Sequence, residues 1–264
     1  MLTYRELVNT LRGLGLDPQR RLLALVWLEA LGPLPGGAET FVGALLSVCE
    51  LLVTPAFTPQ CLVVPEVGPD DNGLVYGGEV EHNAAAEIFQ GALPAAGAQG
   101  ELANALLHGG KGQRSPHPLL SFVGVNAAEA LAAQSLAEPL APLAWLAEYD
   151  ADILLVGCDH SWDVGLHFAE QIAGRKSFVR WALTDQGVVE CPSVPGCADG
   201  FQAIASRLSG VARTGELGEA RIEVVPLRDL VHLASGWIRE DPRALLCDRP
   251  DCARCRAVRA AVRA

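Results

Sequence analysis

Between positions 151 and 170 the chain changes character twice. An apolar run, Ile153-Leu154-Leu155-Val156, stops at Gly157; a polar loop then carries Asp159, His160 and Asp163, and Leu166, His167 and Ala169 open a helical stretch. Four aliphatic residues closed by glycine read as a buried strand that ends at a sheet edge. Strand, glycine, polar loop and helix in that order are how an open α/β sheet offers side chains and free backbone amides to a ligand at the carboxyl ends of its strands. His160 and His167 flank this loop together with Asp159, Asp163 and Glu170. An imidazole beside a carboxylate passes protons near neutral pH, so either His160 or His167, each with carboxylates close by in sequence, is a candidate catalytic group. The plain alternative is a pair of hydrogen-bonded structural histidines.

The rest of the chain alternates in the same manner. Helical patterns cover 3–14, 38–46, 101–108, 127–134, 143–148, 200–208 and 227–238. Apolar runs at 22–28, 51–54, 62–64, 119–123 and 220–225 read as strands. A hairpin is expected over 177–183 and 187–191, turning at Thr184, Asp185 and Gln186. The fold class is therefore α/β, with a mixed central β-sheet flanked by helices. Residues 1–240 form this domain, and 241–264 a cysteine-containing tail packed on it. Gly36 and Gly37, at a helix start, can present unpaired amides to a phosphate. The segment 65–83, with Glu66, Asp70, Asp71, Glu79 and Glu81, is too polar for a core and long enough to collect ligand contacts.

Half of the residues are hydrophobic, which provides core material without staples. No apolar run approaches the ~18 residues of a membrane span, and the start lacks a basic and then apolar signal pattern, so a cytoplasmic location is expected. Twenty basic against thirty-one acidic residues give a net charge of −11 without a lysine-rich tract. That balance argues against a nucleic-acid partner and favours small cations.

Of eight cysteines, Cys247, Cys252 and Cys255 fall close together near the end. Cys252 and Cys255 have the Cys-x-x-Cys spacing by which two thiolates grip one zinc ion from a tight turn, and Cys247 supplies a third ligand. Cys197 or Cys191 is the fourth. Such a site would be structural and would pin the tail to the hairpin, with Arg249, Arg254 and Arg256 keeping the thiolates charged. Reduced surface thiols are the alternative. Cys49, Cys61 and Cys158 sit in apolar or strand-end contexts and are expected in the core.

Three groups of residues, in order along about 5–240, carry a family likeness. They are Ala30-Leu31-Gly32-Pro33 with Gly36-Gly37, then Ser115, His117-Pro118 and Ser121-Phe122, and finally Gly157, His160 and Leu166-His167-Phe168-Ala169-Glu170. In these the chain resembles the aminoglycoside 3-N-acetyltransferases, an antibiotic-resistance family distinct in fold from the GCN5-like acetyltransferases. The resemblance implies that acetyl-coenzyme A and an aminoglycoside bind together and that the acetyl group passes directly to the 3-amino group of the deoxystreptamine ring. By the match His167 is the general base, with Glu170 or Asp163 to orient it. The resemblance places Trp27, Gly36, Gly37, His117, Ser121 and Val164 on the coenzyme side. It makes Glu66, Asp70, Asp71, Glu79 and His160 candidates for a cationic amine substrate, and it suggests a homodimer.

Two segments depart from the pattern. Leu25-Val26-Trp27 stand where the family usually has histidine-serine-serine, and Asp163-Val164-Gly165 where it has asparagine-threonine-serine. Polar contacts to the coenzyme are lost there, and Trp27 occupies volume a pantetheine arm would need. A diverged, catalytically silent relative acting as a binding or scaffold protein is the competing expectation. A zinc hydrolase built on His160 and His167 fits poorly, because the loop between Gly157 and Gly165 breaks their helical register.

Overall fold

Alternating burial explains the architecture from its central strand outward. In the computed structural model, which describes residues 2–78 and 80–262, β1 (Arg21–Val26) sends Leu23 and Leu25 to one apolar cluster and Leu22, Ala24 and Val26 to another. The period of two, with both faces buried, is that of an interior strand. Before it, α1 (Tyr4–Gly13) starts at a capping box in which the Thr3 hydroxyl accepts from the Glu6 amide and the Glu6 carboxylate from the Thr3 amide. After it come α2 (Gly37–Leu46), β2 (Leu51–Pro55), β3 (Leu62–Val63), α3 (Val80–Ala84) and α4 (Glu101–His108). Next are β4 (Gln113–Arg114), β5 (Phe122–Val125), α5 (Ala128–Ala132), α6 (Ala141–Glu148), β6 (Asp152–Val156) and α7 (Val164–Ile172). The chain continues through β7 (Phe178–Thr184), β8 (Gly187–Val194), β9 (Arg213–Leu217), β10 (Ala220–Pro226), α8 (Leu227–Glu240) and α9 (Ala253–Ala261).

The main sheet has the order β4-β5-β2-β1-β6-β10-β9. β1 is parallel to β2 and β6, while the outer pairs are antiparallel, so the sheet is mixed. Helices α5 to α8 cover one face, and α1, α2 and α4 the other. Each fully buried leucine in these layers contributes about 1.5–3 kcal/mol. A second sheet, β3-β7-β8, stands beside the first. The α/β class with a mixed, helix-flanked sheet is therefore as the sequence implied.

Three boundaries differ from expectation. β1 stops at Val26: the Trp27 amide makes a last bond to the Val156 carbonyl of β6, and Leu28–Leu31 then winds away as a 3-10 turn. β5 begins only at Phe122; Leu119 and Leu120 form a turn whose amides donate to His117 Nδ1. Residues 200–208 coil as the 3-10 segment Phe201–Arg207 rather than an α-helix. Gly157 closes β6 with φ of 67°, and a Cβ there would lie 2.4 Å from the Ala30 Cβ, so only glycine fits.

The tail runs back along the domain. Arg175 Nη2 donates to the carbonyls of Pro242 at 2.9 Å and Ala244 at 2.7 Å, and Arg254 Nη1 donates to the Gly196 carbonyl at 3.3 Å. Among the described residues no helix is long and apolar enough to cross a membrane.

Candidate active site

β6 and the first turn of α7 set His167 in place. Asp163 caps the helix, its Oδ1 accepting from the Gly165 amide at 2.9 Å. One turn on, His167 Nδ1 lies 2.8 Å from Glu170 Oε2. Glu170 Oε1 in turn accepts from Arg175 Nη1 at 2.8 Å. A proton on Nδ1 shared with the carboxylate leaves the lone pair on Nε2, to which no described residue hydrogen-bonds. The Phe201 ring meets the imidazole edge-on at 4.7 Å between centroids and fixes its plane. The side chain is 12% exposed.

His167 borders a cleft of about 290 Å³ where the carboxyl ends of β2 and β6 face the small sheet. Phe57, Leu119, Leu120, Leu140 and Val164 give it an apolar lining. Arg180 and Arg254 bring two guanidiniums to it. Arg180 is buried and its Nη1 donates to the Asn72 and Val179 carbonyls, but its Nη2 has no partner. Burial without a carboxylate pulls its pKa down to about 10, with the nearby Arg254 charge acting in the same direction.

The residues expected around the site divide sharply. Val164 borders the cleft with His167. Asp163 does not orient His167: its two oxygens are engaged by the Gly165 amide and by His160. His160 is not a substrate contact, since it is 1% exposed, with Nδ1 3.1 Å from Asp163 Oδ2 and Nε2 3.2 Å from Glu223 Oε1. Burial opposes its charge, yet hydrogen bonds and attraction from both carboxylates prevail and raise its pKa to about 9. Glu223 is held below the usual carboxylate range, chiefly by its bond to His160.

On the coenzyme side, Trp27 lies outside the cleft. It is 40% exposed beside Trp162, their centroids 6.3 Å apart, over a separate open hollow of about 660 Å³ that also takes in Gly157 and Cys158. Gly36 and Gly37 start α2 with left-handed φ and do not border the cleft. His117 is buried, and its Nδ1 accepts the Leu119 and Leu120 amides at 3.1 and 3.0 Å. Desolvation takes its pKa down to about 4, so it stays neutral. Ser121 is likewise structural, donating to the Ala56 carbonyl and accepting from Arg114. The carboxylate-bearing Glu66, Asp70 and Asp71 are exposed and absent from the lining, so the loop does not deliver negative charge to this cleft. Glu79 lies outside the described residues.

Arg175, Arg180 and Phe201 went unforeseen, and Arg254, expected only beside the thiolates, also borders the cleft. Arg180 did leave a signal: it shares the inward phase of β7 with Phe178 and Ala182, where a charge is out of place.

The tail cysteines converge. Sγ atoms of Cys197, Cys247, Cys252 and Cys255 all lie within 4.8 Å of one another, while Cys191 is buried elsewhere beside Cys61, Leu119 and Ala182. The fourth thiol of the group is thus Cys197.

A mixed α/β sheet that holds a carboxylate-bound imidazole over an apolar cleft, at the carboxyl end of a central strand, has the chemistry to take a proton from a nucleophile. Residues 26–239 match the aminoglycoside 3-N-acetyltransferase family, and the chain belongs to it. An aminoglycoside N(3)-acetyltransferase III from Salmonella sp is 26% identical over 265 residues, covering 88% of this chain and 89% of the relative. The apoenzyme structure of aminoglycoside acetyltransferase AAC(3)-IVa superposes with a TM-score of 0.79 at 25% identity, covering 98% of this chain and 97% of that one. AAC-IIIb in a binary complex with CoASH gives 0.71 at 24%, with 90% and 96% covered.

Proposed function

We propose that this protein transfers the acetyl group of acetyl-coenzyme A to an amino group of an aminoglycoside or a related amine, with His167 as general base. The observation that carries the reading is the His167–Glu170–Arg175 chain at the cleft. An amine reaches the site as an ammonium and must lose a proton before its lone pair can attack a thioester. His167 Nε2 accepts that proton. The amine nitrogen then bonds to the acetyl carbon, the carbon–sulfur bond breaks, the nitrogen's second excess proton passes to the departing thiolate to give the free thiol, and His167 releases its own proton to solvent. Glu170 stabilises the imidazolium formed midway, and Arg175 keeps Glu170 oriented.

The cleft suits the donor. Phe57, Leu119, Leu120 and Val164 offer apolar surface to a pantetheine arm, and the exposed Arg254, with the buried Arg180 charge behind it, suits a phosphate. The substitutions at Leu25, Val26 and Trp27 argue less strongly for a silent relative than their size suggests, because Trp27 stands over a different hollow. Release of free thiol from acetyl-coenzyme A with an aminoglycoside panel tests the reading. No turnover with any amine by folded protein rejects it in favour of a binding or scaffold role.

A second reading concerns the acceptor. Arg180 and Arg254 border the cleft while Glu66, Asp70 and Asp71 do not, and two guanidiniums repel a polycation. That arrangement favours an amine carrying a carboxylate or phosphate. Including amino acids and amino-sugar phosphates in the same panel separates the two acceptors by kcat/KM.

A further inference from the structure

The strongest constellation outside this chemistry is the four-thiol cluster. Sγ of Cys247 and Cys255 approach to 3.4 Å, and all four sulfurs lie within 4.8 Å of one another. A tetrahedron with metal–sulfur bonds of about 2.3 Å has edges of about 3.8 Å, so modest adjustment would surround one ion. The backbone is arranged for it. Cys252 is the cap residue of α9 and Cys255 falls one turn inside, so both thiols face the same side. Cys247 arrives from the preceding turn, and Cys197 from the exit of β8. Phe178, Leu246, Ala257 and Val258 pack around the group, with Cys197 partly buried at its edge. Two disulfides would pair the sulfurs and draw the pairs apart; convergence of four on one centre is instead the signature of a soft, tetrahedral cation.

We propose that Cys197, Cys247, Cys252 and Cys255 bind one zinc ion in a closed structural site, and that the ion fixes the tail as one wall of the His167 cleft. Four protein ligands leave no open coordination position, so the ion takes no part in the reaction. Its influence runs through sequence neighbours. Gly196 and Arg254, which border the cleft, each adjoin a ligand, and they are tied together by the Arg254 Nη1 bond to the Gly196 carbonyl. A Cβ on Gly73 would lie 3.3 Å from the Arg254 Cα, so the 65–78 loop also rests on this corner. Shortly before Cys247, the Pro242 and Ala244 carbonyls hold Arg175, the partner of Glu170. The metal assignment does not depend on acetyl transfer.

The test uses the full chain purified without chelator. Metal analysis is expected to give about one zinc per chain, falling below about a tenth in Cys252→Ser and unchanged in Cys61→Ser, a buried cysteine outside the cluster. Should Cys252→Ser fail to fold, two measurements on the unaltered chain serve in its place. One is mercurial titration, with zinc released as the thiols are consumed. The other is cobalt exchange, which yields the intense visible bands of a tetrahedral thiolate site. Absence of stoichiometric metal together with no such cobalt spectrum overturns the site, and stoichiometric iron overturns its identity as zinc. For the wall, stripping the metal is expected to speed proteolysis within 241–262 about tenfold or more. An unchanged cleavage rate rejects that part, whatever the outcome of the acetyl-transfer assays.

Discussion

His167 Nδ1 and Glu170 Oε2 lie 2.8 Å apart, three positions apart on α7, and the carboxylate's other oxygen is bound by Arg175. One carboxylate thus serves both an imidazole and a cation anchored to the tail.

His167→Ala is expected to lower kcat by about 10²–10⁴, the usual contribution of a positioned base. Glu170→Gln should lower kcat by about 10–100-fold with little change in KM for acetyl-coenzyme A, because the imidazolium loses its counter-charge. The same change leaves Arg175 without its acid, at a cost of about 2–3 kcal/mol read by urea titration.

The buried His160, Asp163 and Glu223 predict a pH signature in stability. With a folded pKa of about 9 against an ordinary 6.5, His160 contributes fully below about pH 6.5, and that contribution is lost as pH rises through 9. Glu223, held low, contributes above about pH 4.5 and less as pH falls. Urea midpoints should therefore decline from pH 7 to 10 in the wild type, and His160→Gln should flatten that limb. Parallel declines in both proteins would remove the assignment.

How far the sequence could be read follows from what each residue type signals. β1, β2, β6 and α4 were legible because aliphatic runs or helical periodicity were bounded by glycine, proline or acids. β9 was missed: Arg-Thr-Gly-Glu-Leu at a sheet edge holds a glycine and only one fully buried residue. α9 was hidden as well, since its arginine-rich sequence draws its buried face from Cys255, Ala257 and Val258 rather than from leucines. At the site, the motif pointed to His167 and Glu170, but Arg175 owes its role to carbonyls almost seventy residues later, which no local pattern announces. The acidic loop misled because overall charge does not tell which surface a side chain faces.

Arg180→Met is expected to raise KM about tenfold or more for whichever ligand brings an anion to the cleft. Stability should change by less than about 1 kcal/mol, as removal of an unpaired buried charge offsets the lost bonds to the Asn72 and Val179 carbonyls. Steady-state kinetics with each ligand varied in turn, beside urea titration, provide the check.

Gly157→Ala should destabilise by about 3 kcal/mol, combining a left-handed backbone with overlap against Ala30. A change under about 1 kcal/mol in chemical denaturation would mean that β6 ends differently.

Asn72→Ala removes a buried amide that accepts from the Val179 amide and donates to the Val179 carbonyl, both at 2.9 Å. A loss of about 2 kcal/mol is expected, with faster proteolysis in the 65–78 loop. Equal digestion of variant and wild type would contradict this.

Because Arg175 is gripped by backbone oxygens at 242 and 244, the support of the Glu170 carboxylate is finished only after those peptides have been made. A ribosome-bound chain that already holds β1 through α7 would own its histidine and its glutamate yet lack the brace behind the glutamate. The braced pair is in that sense among the last features the growing polypeptide acquires.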